Sequence, residues 1–88
     1  MPYIKQSDRD VLNNYVDLPA STTPGELAYL FHRLIARYLI QTGVTYQNLA
    51  TTYGIIGTVK DEFYRRVVAP YEDKKIEENG DVTWYEFS

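Results

Sequence analysis

The chain has no cysteine and only one histidine, one methionine and one tryptophan among its 88 residues. The missing cysteines exclude disulfides, thiol catalysis and thiolate metal sites together. The lone histidine, His32, would need a second ligand one helical turn away to hold a metal, at position 28, 29, 35 or 36. Those positions are Ala28, Tyr29, Ile35 and Ala36, so no metal is expected. No apolar run approaches the roughly 20 residues of a membrane span, because Arg33, Arg37 and Gly43 interrupt the best candidate. The opening Met1-Pro2-Tyr3-Ile4-Lys5-Gln6-Ser7-Asp8 lacks the apolar stretch of a signal peptide, so the cytoplasm is the expected location. Internal repeats and low-complexity tracts are absent.

Catalytic patterns are equally scarce. Serine in a strained-turn motif is missing, and no acid lies close to His32 in the sequence. Gly54-Ile55-Ile56-Gly57 lacks the lysine and the spacing of a phosphate-cradling loop. Small all-α nucleotide pyrophosphohydrolases hold magnesium with several carboxylates on facing helices. Here Asp61-Glu62 and Glu72-Asp73 are adjacent pairs whose members point to different helix faces, and no Glu-x-x-Glu pattern occurs centrally. A solvated acidic face is the simpler reading. Neither an enzymatic activity nor a cofactor is expected.

Cationic charge is also thin. The net charge is −3, but its distribution is uneven. Residues 1–25 carry Lys5 and Arg9 against Asp8, Asp10 and Asp17, a net of −1. Residues 26–70 carry Arg33, Arg37, Lys60, Arg65 and Arg66 against Glu26, Asp61 and Glu62, a net of +2. Residues 71–88 carry Lys74 and Lys75 against Glu72, Asp73, Glu77, Glu78, Asp81 and Glu86, a net of −4. A sequence-independent nucleic-acid binder needs a basic surplus to displace counterions, so nucleic acid is disfavoured as a partner, as is a membrane.

What the chain does have is tyrosine, nine residues against three phenylalanines. Tyrosine combines an apolar ring with a hydroxyl that wants a partner or water, which suits half-buried positions in a thin core and also interfaces. A chain of this length buries roughly 60–65% of its unfolded surface, so self-association would add burial that one copy lacks. Ile55, Ile56, Val68 and Trp84 are apolar residues that a small bundle has difficulty burying alone.

The pattern predicts one all-α domain over residues 1–88, a small helical bundle of three to four helices. Residues 1–6 read as an N-terminal arm and 81–88 as a short extended aromatic tail. Ser7 is the expected N-cap of a first helix carrying Val11, Leu12, Tyr15 and Val16, ended by Pro19 and Ser21-Thr22-Thr23. Thr23-Pro24-Gly25-Glu26 is a capping box with proline at the first helical position. It opens a helix of about 18 residues with the stripe Leu27, Phe31, Leu34 and Tyr38, stopped by Gly43. Thr45 caps a short third helix to about Tyr53, and Gly54 and Gly57 mark a corner or a close helix contact. A fourth helix is expected from about Thr58, with Val59, Phe63 and Val67 spaced along one face and Ile56 preceding them. It should kink or restart at Pro70 and close at Asn79-Gly80. Val82, Trp84 and Tyr85 have strand-forming character but no evident partner strand, so they are expected to pack on a helix surface.

The candidate site is cationic and aromatic. Arg33 and Arg37 are four apart and share one helix face, with Tyr29 four residues earlier on the same line. The fourth helix supplies Tyr64, Arg65 and Arg66, and Tyr71 follows. Arginine forks bind phosphate or carboxylate bidentately, and tyrosine rings stack on bases. The two groups, brought together within one copy or across a symmetric interface, would hold a small nucleotide-like anion. The competing use of Arg33 and Arg37 is pairing with Glu72, Asp73, Glu77 or Glu78, and the two uses are compatible if the tail leaves when ligand arrives.

Three blocks carry a resemblance: Met1-Pro2-Tyr3-Ile4-Lys5-Gln6-x-Asp8-Arg9, then Pro24-Gly25-Glu26-Leu27-x-Tyr29, then the run from Glu62-Phe63-Tyr64-Arg65-Arg66-Val67-Val68-Ala69-Pro70 through Tyr71-Glu72-Asp73-Lys74-Lys75-Ile76-Glu77-Glu78-Asn79-Gly80-Asp81-Val82. With them the chain resembles a family of short, uncharacterised phage and prophage proteins. Similar proteins tend to stop soon after Gly-Asp-Val, whereas this chain continues to Ser88. The resemblance implies a phage origin and action by binding. Some small phage proteins sequester nucleotide immune signals as homo-oligomers, and arginines and tyrosines at a subunit interface would suit that role. The expectation is therefore a non-enzymatic homo-oligomeric protein that sequesters a nucleotide-like signal, an anti-defence sponge. The alternative is a protein-interaction module that inhibits or redirects a host protein through its acidic tail and exposed aromatics.

Overall fold

The computed structural model describes residues 3–82 and Trp84. Every regular element among them is helical: α1 (Gln6–Leu12), a 3₁₀ turn (Asn13–Tyr15), α2 (Pro24–Thr42), α3 (Tyr46–Phe63), a π-helical turn (Tyr64–Val68) and α4 (Ala69–Asn79). The all-α expectation is thereby met. The chain divides into two compact units, Met1–Tyr53 and Gly54–Ser88, with the division inside α3.

In the first unit, α1 begins two residues earlier than the sequence suggested. Lys5 occupies the N-cap position with no side-chain bond, and Ser7 lies inside the helix. Arg9 Nε donates to the Ile4 carbonyl at 2.9 Å and Gln6 Nε2 to Asp10 Oδ1 at 2.9 Å, so side chains secure this short helix without a cap. The link to α2 turns sharply at Ser21, whose φ of +61° is unusual for a non-glycine residue. The Thr22 hydroxyl donates to the Pro19 carbonyl at 2.7 Å and holds that turn.

The start of α2 is built as its sequence dictates. Thr23 N–H donates to Glu26 Oε1 at 2.8 Å, and Glu26 N–H donates back to Thr23 Oγ1 at 3.2 Å. Pro24 fills the first helical position, where a missing N–H costs nothing. The helix ends at Gly43, whose φ of +97° favours a residue without Cβ. Its N–H reaches the Leu39 carbonyl at 2.7 Å. Thr45 Oγ1 then accepts from Asn48 N–H at 3.1 Å, as expected of a cap for α3. Asn48 adds a connection that its sequence spacing did not announce. Its Nδ2 donates to the carbonyls of Thr42 and Gly43, both at 2.9 Å, and joins the last turn of α2 to the first of α3.

In the second unit the chain is helical without interruption from Gly54 to Asn79. The corner expected at Gly54-Ile55-Ile56-Gly57 is not formed, and the third and fourth helices expected from the sequence are one. Both glycines lie mid-helix, and a Cβ added at either would meet open space. Nothing in the structure explains why glycine occupies these two positions. The helix also passes Pro70 without ending. The backbone widens over Tyr64–Val68, where Ala69 N–H bonds to the Tyr64 carbonyl, five residues back. An α-helical turn would set the Pro70 ring against the carbonyl of residue 66, and the wider turn immediately before it relieves that crowding.

Neither unit forms a bundle core of its own. Among the described residues no apolar side chain is buried, and the one buried residue is Thr52, its hydroxyl turned to the Asn48 carbonyl at 2.7 Å. Within the first unit the α2 stripe is largely open to solvent, with Phe31 58% and Leu34 70% exposed. Residues 83 and 85–88 of the expected aromatic tail lie outside the described residues, as do residues 1 and 2 of the arm. Val82 and Trp84 are exposed.

The capping box gives a direct test. Thr23→Ala removes the acceptor for Glu26 N–H and should lower stability by about 1 kcal/mol, read as a lower thermal midpoint. The Thr23 backbone N–H, and secondarily the Thr23 side chain, hold the Glu26 carboxyl below its ordinary value of 4.5. The ionised form is the one the folded helix favours, so its contribution is complete above pH 4.5 and is lost as pH falls through the lower folded value. Helical ellipticity should fall with acidification in that window, and Glu26→Gln should flatten the change.

Candidate functional site

The residues predicted to bind an anion fall into two groups, one in each unit. In the first, Tyr29, Arg33 and Arg37 occupy successive turns of α2, a residue spacing of four that aligns their side chains along one side of the helix. Each step of four advances roughly 6 Å. Tyr29 is well exposed. Within α2 neither Arg33 nor Arg37 has an acid at a spacing of three or four, and neither forms an ion pair among the described residues.

Below Tyr29 the helix start and its preceding turn leave an open cleft of about 300 Å³. It is lined by Pro19, Thr22, Gly25, Glu26, Tyr29 and Leu30, and its wall is mostly apolar. Residue spacing alone does not place Pro19 and Thr22 beside Tyr29; the turn at Ser21 brings them there. Glu26 is the cleft's one charged group. Its carboxylate is bonded to Thr23 N–H, and it would repel an anion placed inside the cleft.

In the second unit, Tyr64, Arg65 and Arg66 lie in the π-helical turn and Tyr71 in α4. These arginines have a partner that the sequence reading did not assign. Arg65 Nη2 lies 2.9 Å from Glu62 Oε1, and Arg66 Nη1 lies 3.6 Å from Glu62 Oε2. Spacings of three and four along a helix would have revealed this pairing. Glu62 is half-buried while both guanidinium groups remain mostly exposed, so the pairs are screened and individually weak. Lys75 Nζ stands 5.4 Å from the centre of the Tyr71 ring, a cation–π contact, and 3.3 Å from Glu78 Oε2. Tyr71 is thus already covered in part by a neighbour on its own helix.

Among the described residues no group of three or more acidic or histidine side chains is placed to hold a metal ion, and no helix is long and apolar enough to cross a membrane. A family model described as a domain of unknown function, DUF6899, matches residues 1–82. The chain belongs to the DUF6899 family. No curated protein and no solved structure matches it. The DUF6899 match takes in both groups of candidate residues and ends at Val82, so the last six residues lie beyond it.

Because Arg65 and Arg66 share Glu62 at the surface, Glu62→Gln should free both guanidinium groups with little loss of fold. The thermal midpoint is expected to move by no more than about 4 °C, corresponding to roughly 0.5 kcal/mol. A larger drop would show that the Glu62 pairs hold the π-helical turn together.

Proposed function

We propose that this protein acts by binding, as a helical homo-oligomer that captures a small nucleotide-like anion, with Arg33 and Arg37 as its phosphate contacts. The observation that carries the reading is the pair of guanidinium groups one turn apart on α2, with no ion pair among the described residues and in line with exposed Tyr29. A guanidinium fork with no carboxylate of its own is free to take a phosphate oxygen pair. Tyr29 offers a ring face on which a base can stack, next to the apolar wall of Pro19 and Leu30. The repulsion from Glu26 orders the two ends of such a ligand. The base lies toward the cleft, and the phosphates lie farther along the helix at Arg33 and Arg37.

Tyr64, Arg65, Arg66 and Tyr71 form the second part of the proposed contact set. Their guanidinium groups would exchange exposed, weak pairs with Glu62 for a phosphate, an exchange that screening makes inexpensive. The resemblance to phage proteins supplies the setting, a cytoplasmic host signal sequestered during infection. Homo-oligomerisation is supported by the apolar stripes that each unit leaves open. A host protein bound by the exposed aromatics is the competing outcome.

Titration calorimetry with a panel of mono- and dinucleotides should give a saturable ligand whose affinity falls at least tenfold in Arg33→Ala/Arg37→Ala, about 1.4 kcal/mol or more. Circular dichroism establishes that the variant is folded. If the folded variant binds every nucleotide as the parent does, the anion site is not on α2. If neither protein binds any nucleotide, the host-protein reading takes its place.

A further inference from the structure

The cleft beside Tyr29 has one charged group on its wall, and the chemistry of that group says which base it can read. Glu26 and Tyr29 are three residues apart and Leu30 follows at four, so the three share one side of α2 and line the same cleft. Helical rise sets Tyr29 about 4.5 Å beyond Glu26 along the axis. The Tyr29 residue is 63% exposed, and a flat base laid on its ring brings one edge within reach of the Glu26 carboxylate. Of the lining side chains, only those of Thr22, Glu26 and Tyr29 carry polar atoms. Thr22 gives its hydroxyl proton to the Pro19 carbonyl at 2.7 Å. The Tyr29 hydroxyl both donates and accepts, so it has no preference between base edges. Glu26 is the selective group.

The Thr23 backbone N–H, and then its side chain, hold the Glu26 carboxyl below its ordinary value. Near neutral pH the group is therefore ionised and can only accept hydrogen bonds. Its bond from Thr23 N–H at 2.8 Å takes one acceptor position, and a carboxylate offers about four. What remains is a pair of oxygens suited to two adjacent donors. Guanine has them, because N1–H and the N2 amino group stand side by side on its pairing edge. Adenine sets its N6 amino group beside the N1 lone pair, cytosine sets its N4 amino group beside N3, and uracil flanks N3–H with two carbonyls. Each of these three would press an acceptor lone pair against the carboxylate, which is unfavourable. We infer that the α2 site is selective for guanine nucleotides, with Glu26 accepting from N1–H and the N2 amino group of a base stacked on Tyr29. This rests on the anion-binding reading above and names its ligand class. The charge that keeps the phosphates out of the cleft also accepts the guanine edge inside it, so one residue sets both the orientation and the identity of the ligand.

The test uses the full-length chain with GDP, ADP, CDP and UDP in titration calorimetry. GDP should bind about tenfold more tightly than the other three. Glu26→Gln keeps an acceptor for Thr23 N–H, so the capping box survives, and circular dichroism establishes the helix content. Its carboxamide presents a donor beside an acceptor, which complements adenine and not guanine, so the preference for GDP over ADP should fall about tenfold. That ratio separates base reading from a purely structural role, in which all four affinities would fall together. IDP, which is GDP without the 2-amino group, makes the same test on the unaltered protein and should bind several-fold more weakly than GDP. Equal affinities for the four diphosphates, equal binding of IDP and GDP, or a GDP preference that Glu26→Gln leaves intact would overturn the guanine assignment while the anion site stands. Binding of none of the diphosphates would remove the anion site and the guanine assignment with it. Arg33→Ala/Arg37→Ala should weaken all four alike, so loss of the phosphate contacts and loss of base selection give separate results.

Discussion

An amphipathic helix cannot cover its own apolar face, and that constraint governs everything else in this molecule. Isolated helices of ordinary sequence are marginal in water, and packing of the apolar face supplies most of their stability. Here the helices are long and locally well specified, yet no apolar side chain among the described residues is buried. Hydrogen bonds of caps and turns define where each helix begins and ends, but they contribute too little to hold a tertiary structure alone. The burial that stabilises this chain therefore has to be completed by surfaces that meet these stripes, and each stripe is in effect half of a contact. The proposed homo-oligomeric binding role begins from that incompleteness.

What could be read from the sequence was the local chemistry. Thr23-Pro24-Gly25-Glu26 fixed the start of α2 because each of its bonds lies within three residues, and Gly43 fixed the end because only its own φ is at stake. Thr45 was legible for the same reason. The errors arose where a residue's usual meaning depends on its surroundings. Gly54 and Gly57 suggested a corner, but glycine inside a helix costs only about 1 kcal/mol against alanine. The flanking residues of α3 tolerate that cost, so the helix runs on. Pro70 suggested a kink or a restart, because the effect of a proline was judged against α-helical geometry alone. The change to π-helical geometry over Tyr64–Val68, just before it, gives the ring room, and no propensity scale applied to Pro70 itself would indicate it.

The candidate site shows a similar division. Tyr29, Arg33 and Arg37 were recognisable as one line from spacing alone, and the structure leaves both arginines without a carboxylate partner among the described residues. Arg65 and Arg66 were read as two more ligand groups, although Glu62 stands three and four residues before them. An arginine's availability depends on its nearest carboxylate more than on its exposure, and by that measure the two pairs of arginines differ. The cleft beside Tyr29 was not legible at all. It depends on Ser21 adopting a positive φ, which brings Pro19 and Thr22 to the base of α2, and a serine there carries no sequence signal for that conformation.

Binding an anion makes a specific demand on the chain, and the uneven arrangement of its charges meets it. A phosphate-binding surface needs arginines with no nearby acid, which describes α2, where Glu26 is the only carboxylate and is occupied by Thr23. The segment from Gly54 to Asn79 differs, since Arg65 and Arg66 have Glu62 within reach and Lys75 has Glu78. A chain selected only for solubility would intersperse its charges. The arginines of α2, which have no ion pair among the described residues, and those at 65 and 66, which share Glu62, instead make α2 the first contact for an anion and the second group its exchangeable complement.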